Sequence, residues 1–433
     1  MLAEAGPEAT GHKLAAAEAL TNFGYPTLLA AVEKGQAPLV RERGEPARTL
    51  RRHREALGYT QQYLAKLAKV PVQAVLDAET PGKISLIRVL EQLAIPLAID
   101  ERVLGLKEQP GGAELGVRLR QLTRQKGDTG LSLAAVAALA ESAWVIARQK
   151  TLLSLIGETK SNGLKIFNVN DDYGYPTYER GYDLAAQTRR LLNLDPEGRI
   201  ESMRSLISDT LDIPLVQTRL GGRLAGATIE NGLERGIVVN IEGNNRSVWI
   251  RRMTLAHELG HLLWDPAQRL NKLKVDRYLD LAINSLTPRD QVEMRANAFA
   301  IAFLAPPAAV DRIVHQTADI NSAVLAVSQS FGISLTAAAA HVGNVARIRV
   351  VLPRSRQFPE PSDEMRAQED FTADFFPIQG LPPALVGRFA GYVASALTKG
   401  LISRDTAAAY LQTTQDRLDN KTLLDILNLS ALG

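Results

Sequence analysis

The chain contains no cysteine. Disulfides, thiolate metal ligands and cysteine nucleophiles are therefore excluded, and the expected setting is a reducing compartment, simplest as a bacterial-type cytoplasm. Histidine is scarce, with 6 in 433 residues, and aromatic residues make up only 5%. No apolar run approaches the roughly 18 residues of a membrane span, and the N-terminus lacks a secretory pattern, so neither a membrane partner nor export is expected. An excess of one charge is missing too: 50 basic against 47 acidic residues leave +3. That balance argues against a uniformly basic nucleic-acid binder and moves attention to local clusters.

What is present is an ordinary globular composition, 45% hydrophobic and 22% charged, long enough for two to four domains at about 150 residues each. Arg41, Arg43, Arg48, Arg51, Arg52 and Arg54 crowd one stretch; Glu360, Asp363, Glu364, Glu369, Asp370 and Asp374 make another acidic. The acidic run reads as a solvated surface. Residues 1–46 read as a helical N-terminal extension broken by Gly24, Pro26, Gly35 and Pro38. Helical periodicity over 47–105, punctuated by Gly58, Pro71 and Pro81-Gly82, predicts a small bundle of short helices. A helical connector is expected over 113–160 and a polar loop over 160–180. Alternating segments starting at Ile213, Leu224 and Gly236 then read as three strands. Further helices run to about Val342. A short β-like segment at Arg347–Leu352 opens a strand and acidic linker over 346–380, and a C-terminal helical domain fills 381–433.

The chemistry-bearing motif is His257-Glu258-Leu259-Gly260-His261. Residues four apart share a helix face, so the two imidazoles can meet one cation, while Glu258 flanks that face and can reach a water. Gly260 weakens an isolated helix, which points to a close approach of another element. A catalytic zinc needs a third protein ligand. Glu293 is the better candidate, on a helix expected over Asp290–Leu304; His12, His53, His315 and His341 read as bland surface or core histidines. The strand at 236–241, read as the one nearest the motif helix, is expected to pair with an extended substrate segment.

Thr254-Leu-Ala-His-Glu-Leu-Gly-His, followed by Glu293-Met-Arg-Ala-Asn-Ala-Phe-Ala and preceded by the Val238-Val-Asn240 strand end, resembles the ImmA/IrrE family of metallopeptidases over roughly residues 180–345. The resemblance implies His257, His261 and Glu293 as zinc ligands and Glu258 as the catalytic residue. Met253 stands where an aromatic is usual, and Ala305-Pro306 replaces a Met-Pro ending; both are packing positions. Manganese or iron would suit the same ligands.

Upstream, Gly58-Tyr-Thr-Gln61-Gln-Tyr-Leu-Ala-Lys-Leu-Ala68 resembles the second helix of an XRE (Cro/repressor-type) helix-turn-helix, and Val70–Glu79 its recognition helix. The resemblance implies DNA contacts from Arg51, Arg52, Gln61 and Gln73. The recognition helix carries no basic residue, so a module reused for dimerisation or for gripping a partner competes with DNA reading. Val324–Val342 and Ala394–Leu418 also look like helix-turn-helix segments and read as packing or protein-recognition helices.

The expected architecture is mainly α with a small α+β zincin-like metallopeptidase domain (175–345, with a helical tail), an N-terminal helix-turn-helix bundle and a C-terminal helical domain. The family resemblance implies a cytoplasmic, site-specific zinc endopeptidase. Its protein substrate would be a transcriptional repressor of helix-turn-helix type or an antitoxin-like partner, cleaved in a stress or mobile-element response. The alternative is a DNA-binding regulator, with double-stranded DNA as partner and the peptidase fold as sensor or scaffold. A homodimer is compatible with either.

Overall fold

Several helices start at a Ser, Thr or Asp whose side chain caps the first turn. The structure is a computed structural model that describes residues 25–34, 44–83, 85–101, 131–157, 177–231, 234–265, 274–277, 291–352, 360–370 and 376–431. Six helices come first: α1 (Tyr25–Lys34), α2 (Glu45–Ala56), α3 (Gln61–Ala68), α4 (Val72–Ala78), α5 (Ile87–Leu97) and α6 (Leu133–Ile156). Thr60 caps α3, its hydroxyl accepting from the Tyr63 N–H at 3.1 Å, and Lys69 closes it with a left-handed φ of 55°. Ser132 caps α6 in the same way. These hydroxyls satisfy backbone donors that a helix start leaves orphaned.

Next come α7 (Thr177–Leu191) and α8 (Met203–Ser205), which runs on as a π turn over Leu206–Thr210. Strands β1 (Leu215–Thr218), β2 (Leu224–Asn231) and β3 (Glu234–Asn240) precede α9 (Val248–Trp264), and β4 (Lys274–Arg277) follows it. Then α10 (Gln291–Leu304), α11 (Pro307–Gln316), α12 (Ile320–Phe331), α13 (Leu335–Ala346), α14 (Asp363–Glu369), α15 (Arg388–Thr398), α16 (Arg404–Tyr410) and α17 (Asn420–Ala431) complete the order. Among the described residues no single helix is long and apolar enough to cross a membrane.

The chain divides into two compact units. The first unites residues 1–160 and 372–433 with the short 230–235 segment. In its core Trp144 of α6 meets Phe389 and Tyr410 edge-on, with ring centroids 5.6 and 5.2 Å apart. Arg148 lies over the Trp144 and Tyr410 rings and pairs with Glu101, and Tyr410 donates to Glu101 at 2.8 Å. The C-terminal helices therefore share a core with the N-terminal ones.

The second unit, residues 161–229 and 236–371, holds the sheet and the helices around it. The sheet order is β1-β3-β2-β4, with β1 parallel to β3 and β4 antiparallel to β2. Its apolar core joins Ile237 and Val239 of β3 to Leu255 and Leu259 of α9, Phe299 and Phe303 of α10, and the apolar faces of α12 and α13.

Three expectations are corrected here. The strand at 236–241 is interior: β1 takes one of its edges and β2 the other, so no ladder is left for an added segment. The segment Arg347–Leu352 forms no strand; Arg347 takes a left-handed φ of 56° to cap α13, and Val350 and Leu352 pack on the core instead. The acidic stretch is not simply a solvated surface. Its residues 363–369 form α14, and Glu369 is fully buried because it meets the equally buried Arg252.

Candidate metal centre

Helix α9 follows Ser247, which is still extended, and every residue of it except the partly buried Ile250 is buried. A helix apolar all round belongs in a core, yet this one carries His257, Glu258 and His261 there, at 0%, 0% and 2% exposure. Such burial of polar groups requires partners. The two imidazoles face each other, with Nε2 atoms 3.0 Å apart. The Glu293 carboxylate, in the first turn of α10, places Oε2 3.4 Å from His257 Nε2 and Oε1 3.4 Å from His261 Nε2. Gly260 makes the approach of α10 feasible: a Cβ there would lie 2.7 Å from Cδ1 of Phe299. The close packing anticipated from Gly260 is thus present, and its neighbour is the helix that bears Glu293.

The three side chains offer ligand atoms within 4.8 Å of one another. Metal–ligand bonds of about 2.0–2.1 Å in a tetrahedral site put neighbouring ligand atoms roughly 3.3 Å apart. The Nε2–Nε2 separation of 3.0 Å and the two nitrogen–oxygen separations of 3.4 Å, one to each Glu293 oxygen, are close to that spacing. Two imidazole nitrogens and a carboxylate are also the donor set that suits zinc. The residues present fit a divalent cation.

Glu258 projects to the sheet side of α9. The Thr228 hydroxyl on β2 donates to its Oε2 at 2.9 Å. Gly226, two residues earlier on the same strand, leaves room for the carboxylate: a Cβ would come within 2.9 Å of Glu258 Oε1 and of the Val238 carbonyl oxygen. The strand that meets Glu258 is therefore β2, while the 236–241 strand shares a core with Leu255 and Leu259 of the motif helix. Asn240 and Asn245 hold β2 there. Asn240 donates to the Gly221 and Leu224 carbonyls at 2.7 and 2.6 Å, and Asn245 to the Ala225 and Asn240 carbonyls at 2.8 and 2.9 Å. The Thr254 hydroxyl on α9 donates in turn to Asn245 Oδ1 at 3.0 Å.

Behind His261, the ring Nδ1 lies 2.9 Å from Asp265 Oδ2, and Arg295 pairs with the other oxygen of that carboxylate. Sequence reasoning missed Thr228, Gly226, Asp265 and Arg295. Only Asp265 had a usable signal, standing one helical turn beyond His261.

The remaining histidines have their own surroundings. His315 is exposed, and His12 lies outside the described residues. His341 is fully buried, donates from Nε2 to the Ala305 carbonyl at 2.8 Å and accepts from the Tyr182 hydroxyl at 2.7 Å. Burial pulls its pKa down to about 4, against the opposing pull of the Ala305 bond. His53 is held down to about 4 by burial and then by the nearby Arg52 charge.

The residues marked for DNA contact belong to the first unit. Gln61 donates to Glu79 Oε2 at 2.8 Å, and Arg51 donates to the Glu79 backbone carbonyl at 3.0 Å. Glu79 itself is buried and takes a further ion pair from Arg54. Gln73 donates to Asp77 on its own helix at 2.7 Å, while Arg52 is exposed. Arg41 and Arg43 lie outside the described residues.

No curated protein matches the chain. Residues 238–342, which include His257, Glu258, His261 and Glu293, match the Peptidase_M78 family model described as the IrrE N-terminal-like domain, so this part of the chain is similar to a metallopeptidase domain of the ImmA/IrrE type.

Proposed function

We propose that the protein is a zinc-dependent metallo-endopeptidase of regulatory type. In this reading it cleaves a transcriptional repressor of helix-turn-helix kind or an antitoxin-like protein in the cytoplasm, during a stress or mobile-element response. The observation that carries the reading is the convergence of the His257 and His261 Nε2 atoms with the Glu293 carboxylate, beside a Glu258 that Thr228 anchors. A cation held by His257, His261 and Glu293 would supply Lewis acidity for the scissile carbonyl and for an attacking water. Glu258 accepts the proton of the attacking water and returns it to the leaving amine. Thr228 and Gly226 fix the carboxylate so that this transfer needs no reorganisation.

The helices α2 to α5 serve in this reading as an XRE-type module that brings the enzyme to its partner, protein or duplex DNA. The competing reading, a DNA-binding regulator whose peptidase fold only senses, makes the opposite forecast for one experiment. The wild-type chain and Glu258→Gln are expressed in cells, and the newly created protein N-termini are compared. Proteolysis yields termini with the wild type that Glu258→Gln lacks, while both retain metal. Identical profiles refute the enzyme reading and favour the scaffold.

A further inference from the structure

Asp265 is a charged residue in an unfavourable place. It follows directly on the C-terminus of α9, where the helix dipole disfavours an anion. It is also only 4% exposed, where an uncompensated carboxylate is costly. Two partners offset that cost. Arg295 pairs with Oδ1, and the ring Nδ1 of His261 stands 2.9 Å from Oδ2. An ionised carboxylate only accepts, so the ring nitrogen is the donor and carries its hydrogen at Nδ1. The lone pair of that imidazole is then confined to Nε2, the atom facing His257 Nε2 and the Glu293 carboxylate.

From this geometry, and resting on the metallopeptidase reading above, we propose that Asp265 is the positioning residue of the metal centre. It sets the tautomer and ring angle of His261, and Arg295 holds the Asp265 carboxylate in the required orientation. The ion pair has a second consequence. Asp265 is four residues beyond His261, and Arg295 two beyond Glu293, so one contact ties together the two helices that supply the ligands. Outer partners of this kind raise the basicity of a ligating imidazole as well as orienting it, and their loss typically costs about 10–100-fold in metal affinity.

The test uses the full chain and zinc alone, titrated in competition with a chromophoric chelator. Asp265→Ala is expected to weaken zinc binding by about 10–100-fold. Asp265→Asn keeps an oxygen to accept from Nδ1 and should fall between Asp265→Ala and the wild type. Arg295→Ala should weaken binding several-fold, and Arg295→Lys should restore part of the loss. Cobalt(II) titrated in place of zinc gives a second readout, since a reoriented imidazole shifts its visible absorption bands in Asp265→Asn. A purely structural Asp265 would lower the unfolding temperature of its variants while the folded protein bound zinc as the wild type does. That result overturns the proposal. Should Asp265→Ala fail to fold, wild-type zinc affinity in both Asp265→Asn and Arg295→Ala overturns it equally. A wild-type chain that takes up no zinc removes the metallopeptidase reading itself, and this inference with it.

Discussion

Truncating Glu369 to alanine should destabilise the second unit by about 3–5 kcal/mol, the cost of leaving one charge of a buried pair alone. The structure shows why the value belongs at this end of the scale for single substitutions. Arg252 and Glu369 are both at 0% exposure. Glu369 accepts from the Met203 and Arg204 N–H groups at 2.9 and 3.1 Å as well as from Arg252. Burial pulls the Arg252 guanidinium below its ordinary pKa, and Glu369 opposes that pull. Removing Glu369 leaves Arg252, among the described residues, the Ile200, Glu201 and Phe331 carbonyls, and orphans two buried donors at the start of α8. The assay is urea denaturation followed by tryptophan fluorescence in a Trp144→Phe background. Trp249 and Trp264 then report on the second unit alone, since Trp144 belongs to the first. Separate reporting matters because a chain of two units need not unfold in one step. Replacing both partners, as Arg252→Met with Glu369→Leu, should cost less than the sum of the two single losses, because no charge is stranded. A loss below about 1 kcal/mol for Glu369→Ala, or strict additivity in the double variant, would refute the account.

Two further outcomes follow from the same packing. Gly260→Ala places a methyl 2.7 Å from Phe299; overpacking of about 1–3 kcal/mol exceeds or cancels the roughly 1 kcal/mol gained in helix propensity. Zinc affinity should drop with it, because Phe299 shares a helix with Glu293, so a clear rise in unfolding temperature would contradict the close approach. His341 gives the pH dependence. Its folded pKa of about 4 lies below the ordinary 6.5, so the unfolded chain binds the proton first as pH falls. Stability is lost as the pH drops from about 6.5 towards 4, by up to about 3 kcal/mol from this group. The difference in denaturation midpoint between pH 7 and pH 4.5 should be smaller in His341→Gln than in the wild type; equal differences would remove His341 as the cause.

The sequence by itself determined the parts of the site that a helix repeat encodes. His257 and His261 are one turn apart on any helix, and Gly260 marked the neighbour's approach before that neighbour was known. Glu293 was legible from its own helix and from a family resemblance, and the structure brings it 3.4 Å from both histidines. Strand positions and turn boundaries were largely readable as well, since alternation and glycine-rich punctuation are local signals. Strand order was not, because periodicity says which face is buried and nothing about which edges are paired. That is why the 236–241 strand was expected to offer a free edge although it lies between β1 and β2, and why the contact of β2 with Glu258 was not foreseen. Tertiary structure alone chose Thr228 as the partner of Glu258, and it alone drew Glu369 out of an acidic run into the core. An acidic side chain stays in water unless a buried cation and free N–H groups meet it, and Arg252 lies 117 residues away in the chain. The metal ligands were written locally, while the groups that hold them in place were decided by which distant segments came together.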